Sequence, residues 1–131
     1  MSGLASYRDV KVGGCIAALH EVSADGVHRL RWPGDVEYTA FMVVREAMAN
    51  ARLHAQASLI RVLLEGNARS LHLDVVDDGT GIPSDMRHGR PGHLGIVGMR
   101  ERAISIGARF TITAEPGGGT RVCLHWTAPD S

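Results

Sequence analysis

Apolar residues recur at helical spacing in one long segment of the chain, residues 36–54. Phe41, Val44, Met48 and Ala51 follow one another at intervals of three and four, and neither glycine nor proline interrupts the segment. Such intervals bring side chains to one face of an α-helix. We therefore expect a long helix here, with one apolar stripe facing the core.

Alternation of apolar and polar residues predicts strands elsewhere in the chain. The segments with this pattern are residues 27–32, 60–64, 71–75, 110–112 and 122–126. Gly66-Asn67 lies between the second and third segments and predicts the turn of an antiparallel hairpin. Pro33-Gly34 ends the first segment, and the glycines after Pro116 connect the last two.

Two further segments have helical character, and one is a polar loop. Small and apolar residues in 4–22 predict an N-terminal helix, although Gly13-Gly14 weakens it by roughly 1 kcal/mol per glycine. Residues 94–106 predict another helix, for which Gly107 is a suitable C-terminal cap. Residues 79–95 are dense in glycine, proline and charge, which indicates a long loop of the kind that often acts as a lid.

Together these elements predict a single domain over residues 1–131 with its core in residues 27–126. Helices that cover one face of a mixed β-sheet give a two-layer α/β sandwich. A hydrophobic share of 44% is enough for one such core. No apolar run reaches the roughly 20 residues that span a bilayer, so we expect a cytoplasmic domain without direct membrane contact. The same domain could form the cytosolic end of a membrane-bound receptor.

Charge and cysteine content exclude several functions. Fourteen basic residues balance fourteen acidic ones, so no overall field favours nucleic acid or an anionic membrane surface. Cys15 and Cys123 are far apart and match neither a disulfide framework nor a zinc-ligand spacing. We therefore expect both cysteines to be core residues and any anion site to be local.

The long helix carries polar residues that could form a site. Glu46 and Asn50 are four apart and share one helical face, and His54 extends that face by a further turn. An amide oxygen is a suitable Mg²⁺ ligand beside substrate phosphates, and a carboxylate can act as a base. A solvated helix face is the ordinary explanation of such a pair, so this observation needs support from other motifs.

A second polar motif follows a predicted strand. In Asp77-Asp78-Gly79-Thr80-Gly81, the glycines Gly79 and Gly81 allow backbone to approach a flat ligand, and Asp77 can accept a hydrogen bond from an exocyclic amine. Adenine offers that amine. The alternative is a strand-ending Asp-Gly turn without further role.

A third motif runs into the second predicted helix. Gly92, Leu94, Gly95, Ile96 and Gly98 lie where unpaired backbone N–H groups of a helix N-terminus can bind phosphate. The segment follows a polar loop and no strand-helix-strand unit surrounds it, so it is not a dinucleotide fingerprint. The chain also lacks the Gly-Lys-Ser/Thr ending of a Walker-type loop.

Taken in order, these motifs resemble the catalytic domain of bacterial sensor histidine kinases, and most closely the subgroup whose regulators are of the nitrate-response type. The motifs are Arg45-Glu46-Ala47-Met48-Ala49-Asn50 with His54-Ala55, Asp77-x-Gly79-x-Gly81, Gly92-x-x-Gly95, Gly98-Met99-Arg100-Glu101-Arg102 and Gly117-Gly118-Gly119-Thr120. The resemblance spans about residues 36–126. It implies the Bergerat fold shared with gyrase, with ATP and Mg²⁺ as ligands.

The resemblance also implies roles for individual residues. Asp77 would bind the adenine amine, Asn50 the Mg²⁺ ion, Glu46 would act as the base, and Thr120 would lie near Asp77 through water. The ATP-binding set is then Asn50, His54, Asp77, Gly79, Gly81, Gly92, Leu94, Gly95, Ile96, Gly98 and Thr120. The implied activity is that of a histidine protein kinase. Its partners would be the histidine-bearing dimerisation domain of the same kinase and a downstream response regulator.

Two features depart from the family pattern. Leu53 stands where the subgroup usually has lysine, and Arg52 lies off the Glu46/Asn50 face and does not replace it. The phosphoacceptor helix expected before this domain is not found, and His20 is interpreted as an ordinary residue of the N-terminal helix. Two alternatives remain open: a free-standing serine kinase of the anti-sigma-factor type, and a non-catalytic nucleotide-sensing module.

Overall fold

The computed structural model describes residues 4–12, 15–23, 32–82 and 95–130. Six strands form one sheet in the order β1-β2-β3-β4-β6-β5. Their bounds are β1 Leu4–Val12, β2 Cys15–Ser23, β3 Leu59–Asn67, β4 Ser70–Asp77, β5 Arg109–Ala114 and β6 Thr120–Thr127. Strands β2 and β3 pair in parallel, whereas every other pair is antiparallel. The predicted mixed sheet is confirmed.

Two helices, α1 (Gly34–Leu53) and α2 (Ile96–Ser105), pack on one face of this sheet. Their inner sides close a core with the apolar residues of β3, β4, β5 and β6. Its most deeply buried members include Val43, Ile60, Leu71, Leu73, Ile96, Ala103 and Leu124. The two-layer α/β sandwich and both of these helices were predicted correctly. No helix in the described part of the chain is long and apolar enough to cross a membrane.

The apolar stripe of α1 differs from the predicted one. Buried positions on α1 are Val36, Thr39, Val43, Ala47, Asn50 and Ala51, whereas Phe41 is 58% exposed and Val44 and Met48 are only partly buried. Both sets include Ala51, and apart from the neighbours Asn50 and Ala51 both have intervals of three and four, so the spacing does not distinguish two neighbouring stripes. The structure favours the stripe with smaller residues, which lets the helix axis lie close to the sheet.

The predicted N-terminal helix in residues 4–22 is wrong. Residues 4–12 and 15–22 lie in β1 and β2, and the register pairs Val12 directly with Cys15. Gly13-Gly14 lies between the paired residues in the sequence, and a two-glycine connection is typical of a tight hairpin. β-Branched residues such as Val10 and Ile16 favour strands as well. His20 accordingly lies on a strand.

The hairpin of β3 and β4 is confirmed, but its turn lies later than predicted. Pairing continues through Gly66 to Asn67, which is opposite Ser70. The side chain of Asn67 accepts a hydrogen bond from the Arg69 N–H at 2.9 Å and so stabilises a turn at Ala68-Arg69.

The predicted strands at 110–112 and 122–126 correspond to β5 and β6. At the end of α2, Gly107 adopts a φ of 71° and donates its N–H to the Ile104 carbonyl, as expected of a C-terminal cap. Most of the strand predicted at 27–32 lies outside the described residues, and Trp32, which is described, is not in a strand. Most of the predicted lid, residues 83–94, also lies outside them.

Candidate functional site

A pocket opens between α1, the end of β4 and the start of β6, on the helical side of the sheet. Its lining combines an apolar floor with polar groups at the rim. The lining residues are Ala47, Asn50, Ala51, His54, Ala55, Asp77, Gly81, Ile82, Met99, Ile112, Thr120 and Val122. Five of the predicted ATP-binding residues therefore lie around one pocket: Asn50, His54, Asp77, Gly81 and Thr120.

Asp77 is the last residue of β4, and its carboxylate is held in a defined position. Its Oδ1 accepts the N–H of Gly79 at 2.8 Å. Burial raises the pKa of the Asp77 carboxyl, and the backbone hydrogen bonds of Gly79 and Thr120 act in the opposite direction. A partly desolvated acceptor that already has backbone donors on one side is suited to bind a further N–H donor from a ligand.

The neighbouring Asp78 has a different, structural role. Its carboxylate accepts the N–H groups of Ser58 and Leu59 at 2.9 and 3.0 Å and the Ser58 hydroxyl at 2.7 Å. The Leu59 N–H and the Ser58 hydroxyl lower the pKa of Asp78. The hydrogen bonds of Asp78 therefore connect the start of β3 to the end of β4. Of the two aspartates, only Asp77 lines the pocket.

Thr120, the first residue of β6, is directly opposite Asp77 in the sheet. It is 2% exposed, and its Oγ1 has no hydrogen-bond partner within the described part of the chain. A buried hydroxyl without a partner costs roughly 1–3 kcal/mol, so a ligand or water that binds it would relieve that cost. The hydroxyl and the Asp77 carboxylate thus form a paired polar end of the pocket.

The two glycines after Asp77 are needed for close backbone approach. A Cβ at Gly79 would lie 2.5 Å from the Ala55 carbonyl oxygen, and the N–H of Thr80 donates to that same oxygen at 2.8 Å. Gly81 has a φ of 86°, a conformation that other residues rarely adopt. The segment therefore packs against the end of α1 and forms one wall of the pocket.

Of the three polar residues selected on α1 and just after it, two line the pocket and one does not. Asn50 is 7% exposed and lies on the buried face of α1. His54, just after the helix, is exposed and lines the pocket. Glu46 is half-buried and is not part of the lining. Its Oε2 lies 2.5 Å from where a Cβ at Gly95 would be.

The start of α2 lies against this glutamate. Gly95 precedes the helix with a φ of 65°, and Ile96 is fully buried in the core, so only the backbone of Ile96 is available to a ligand. Gly98 is exposed in the first turn. The predicted sites Gly92 and Leu94 lie outside the described residues.

Several apolar residues of the pocket were not predicted as site residues. Ala47, Ala51 and Ala55 line it from α1 and its end, and Met99, Ile112 and Val122 complete the floor. The alanines recur at intervals of four beside Asn50, which is the sequence signal that could have identified them. Small side chains along one stripe leave room for a flat ligand between helix and sheet.

Comparison with known proteins identifies relatives of this fold and pocket. The family model described as "Histidine kinase-, DNA gyrase B-, and HSP90-like ATPase" matches residues 35–130. The chain is 33% identical over 94 residues to the signal transduction histidine-protein kinase/phosphatase DegS of Brevibacillus brevis, covering 72% of this chain and 24% of DegS. It is 36% identical over 89 residues to the sensor histidine kinase YhcY of Bacillus subtilis (strain 168), covering 68% and 23%.

Among solved structures, the blue-light activated histidine kinase of Erythrobacter litoralis EL346 has a TM-score of 0.59 at 27% identity, over 71% of this chain and 32% of that chain. The sheet with helices on one face is the Bergerat fold of these ATPases. The chain spans about a quarter of the length of the two curated relatives.

Proposed function

Because the chain belongs to the family of histidine kinase-, DNA gyrase B- and HSP90-like ATPases, we propose that it is the Mg-ATP-binding catalytic domain of a sensor histidine kinase. The observation that carries the proposal is the pairing of Asp77 with the Thr120 hydroxyl, which has no partner among the described residues, at the buried end of the pocket. Similarity to DegS and YhcY favours this function over a serine kinase or a nucleotide-sensing module.

The adenine ring fits the buried end of the pocket. Its exocyclic amine is a donor for the free side of the Asp77 carboxylate, and Thr120 can join this contact directly or through a water molecule. The alanines of α1 and Met99 offer apolar surface to the ring. Guanine has an oxygen where adenine has the amine, so it would place an acceptor against Asp77.

The phosphates would extend towards Glu46 and the start of α2. Free N–H groups in the first turn of α2, after Gly95, suit an anion, and Asn50 offers an amide oxygen to a magnesium ion. Magnesium would neutralise charge on the phosphates. Asn50 lines the pocket and follows Glu46 by one turn of α1, which fits this assignment.

The reaction is in-line transfer of the γ-phosphoryl group to a histidine. The imidazole nitrogen of the acceptor forms a bond to the γ-phosphorus, the bond to the β,γ-bridging oxygen breaks, and ADP leaves. Glu46 accepts the proton that the imidazole loses. The acceptor belongs to the dimerisation domain of the same kinase, and a response regulator receives the group afterwards.

We expect the chain alone to bind ATP but to form almost no phosphohistidine. Transfer requires an acceptor nitrogen within about 3.5 Å of the γ-phosphorus, and His20 lies on β2, between β1 and β3 of the sheet. Incubation with radiolabelled ATP, followed by an acid-lability assay, tests this for the chain alone, for His20→Ala and for the chain mixed with a histidine-bearing dimerisation domain.

Labelling that needs the added domain and is acid-labile supports the proposed function. Labelling of the chain alone that disappears in His20→Ala would make His20 the acceptor, and acid-stable labelling of serine on a partner would indicate the serine-kinase alternative.

Asn50→Ala should weaken the Mg²⁺-dependent part of ATP affinity by about tenfold, the equivalent of one ligand contact. Calorimetric titration of ATP with Mg²⁺ and with EDTA measures that part. Asn50→Asp keeps an oxygen ligand and should retain the dependence, and Asn67→Ala, which removes the other asparagine at the β3–β4 turn, is the matched control. An Asn50→Ala protein with the parent's Mg²⁺ dependence would refute the assignment.

A further inference from the structure

The face of the sheet that the helices leave uncovered carries a compact polar cluster. Along β4, Leu71, Leu73 and Val75 point into the core, so the residues between them point to the other face. His72 and Asp74 are two of these. On β6, Cys123 is directly opposite Asp74 and therefore diagonal to His72. Three different metal-binding side chains thus come from two central strands.

The ligand atoms of these side chains are close to one another. His72 Nε2 lies 3.1 Å from Asp74 Oδ2 and 3.7 Å from Cys123 Sγ, and all three ligand atoms lie within 4.8 Å of each other. Tetrahedral zinc, at about 2.0 Å from nitrogen and oxygen and about 2.3 Å from sulfur, requires separations of about 3.3 Å for N···O and about 3.6 Å for N···S. The two measured separations agree with these values to within a few tenths of an ångström.

The cluster is also held in place by its surroundings. Asp74 is 7% exposed, and Arg121 Nη1 contacts its Oδ2 at 3.2 Å while Arg121 Nε donates to Glu115 at 2.7 Å. Partners of this kind orient a ligating carboxylate in metal sites. The Arg121 charge also opposes a cation, which predicts weaker binding than in a closed four-ligand zinc site.

We propose that His72 Nε2, the Asp74 carboxylate and Cys123 Sγ form a binding site for zinc or a similar transition-metal ion, with the fourth position open to solvent. Imidazole and thiolate are ligands that zinc prefers to the oxygen-only ligands of magnesium. On binding, neutral His72 gives the Nε2 lone pair, and the Cys123 thiol releases its proton to solvent. The thiolate and the carboxylate then balance the two charges of the ion.

The Cys123 thiol must lose its proton before its sulfur can bind a metal ion. Burial, followed by the nearby Asp74 charge, raises the pKa of the Cys123 thiol to about 11. The thiolate fraction at neutral pH is small without an ion, so metal binding includes the cost of deprotonating this thiol. The site lies on the sheet face opposite the ATP pocket, so the inference is independent of the proposed function.

The test uses the chain carrying Cys15→Ser, in which Cys123 is the single remaining cysteine. Co²⁺ is titrated into this protein under reducing conditions, and Zn²⁺ then displaces it. We expect a thiolate-to-cobalt charge-transfer band, tetrahedral visible bands and one ion per chain. Cys123→Ser should abolish the charge-transfer band, and His72→Gln should weaken binding more than about tenfold, because losing even an outer partner of a metal ligand costs 10- to 100-fold.

His125→Gln is the matched control, because His125 is opposite His72 on the same face, with ring centroids 5.4 Å apart, but is not among the three ligands. Its affinity should stay close to the parent's. Circular dichroism of each variant verifies folding. Absence of a charge-transfer band in the folded parent, its persistence in folded Cys123→Ser, or a loss in His125→Gln as large as in His72→Gln would overturn the proposal.

Discussion

Asp77→Asn is expected to weaken ATP binding roughly 10- to 100-fold, the range for losing a hydrogen bond to a charged group and leaving a buried donor unpaired. Asparagine keeps an oxygen that can accept the Gly79 N–H, so the turn at the end of β4 should persist. Its amide nitrogen, however, carries N–H groups, which cannot accept a hydrogen bond from the amine of adenine. The loss is therefore specific to the ligand contact. Calorimetry with ATP and GTP measures it.

Asp78→Asn is the matched control for this prediction. It changes the adjacent carboxylate in the same way, but Asp78 is exposed and binds Ser58 and Leu59 at the start of β3. We expect its stability to fall slightly and its ATP affinity to remain close to the parent's. An equal loss of ATP affinity in both variants would indicate a general effect on the sheet. If Asp77→Asn bound ATP and GTP as the parent does, Asp77 would not be the residue that binds adenine.

Local signals in the sequence were sufficient for most of the sheet and for both helices. The β3–β4 hairpin and the β5–β6 pair combine alternating apolar residues with glycine-rich or polar connections, so period and turn agree. The N-terminal segment lacked that agreement, because its small residues fit helical spacing while Gly13-Gly14 and the β-branched residues favour a hairpin. In the structure β2 pairs with β3, and such a contact with a distant segment cannot be read from the N-terminal residues alone.

The candidate site was only partly accessible to sequence reasoning. Asp77 and Asn50 could be selected because their residue types and order resemble a known family. Thr120 is 2% exposed, and its hydroxyl has no partner among the residues that the structure describes; no spacing in the sequence reveals this burial. The cluster of His72, Asp74 and Cys123 was hidden for another reason. Its members are brought together by the register of β4 with β6, and zinc-ligand spacing in the chain gave no indication of it.

Glu46→Gln should slow phosphoryl transfer about 10²- to 10⁴-fold, the range for removing a general base. Glutamine has the shape of glutamate but cannot accept the proton of the acceptor imidazole. ATP affinity should change little, because a base acts in the transition state more than in the bound ground state. The rate of acid-labile phosphohistidine formation at saturating ATP, with an added acceptor domain, measures the first effect, and calorimetry measures the second.

The position of Glu46 explains why the two effects should separate. Its carboxylate is half-buried at the start of α2, where Oε2 approaches Gly95 and Arg45 Nη2 lies 3.7 Å from Oε1. Glu46 is not among the residues that line the pocket at Asp77. An uncharged glutamine can occupy the same space beside Gly95, so the N-terminus of α2 should keep its place. Glu101→Gln, an exposed change on α2, is the charge-matched control and should transfer at the parent's rate. If Glu46→Gln lost ATP affinity in proportion to its rate, the glutamate would instead be a positioning residue that supports the phosphate-binding start of α2.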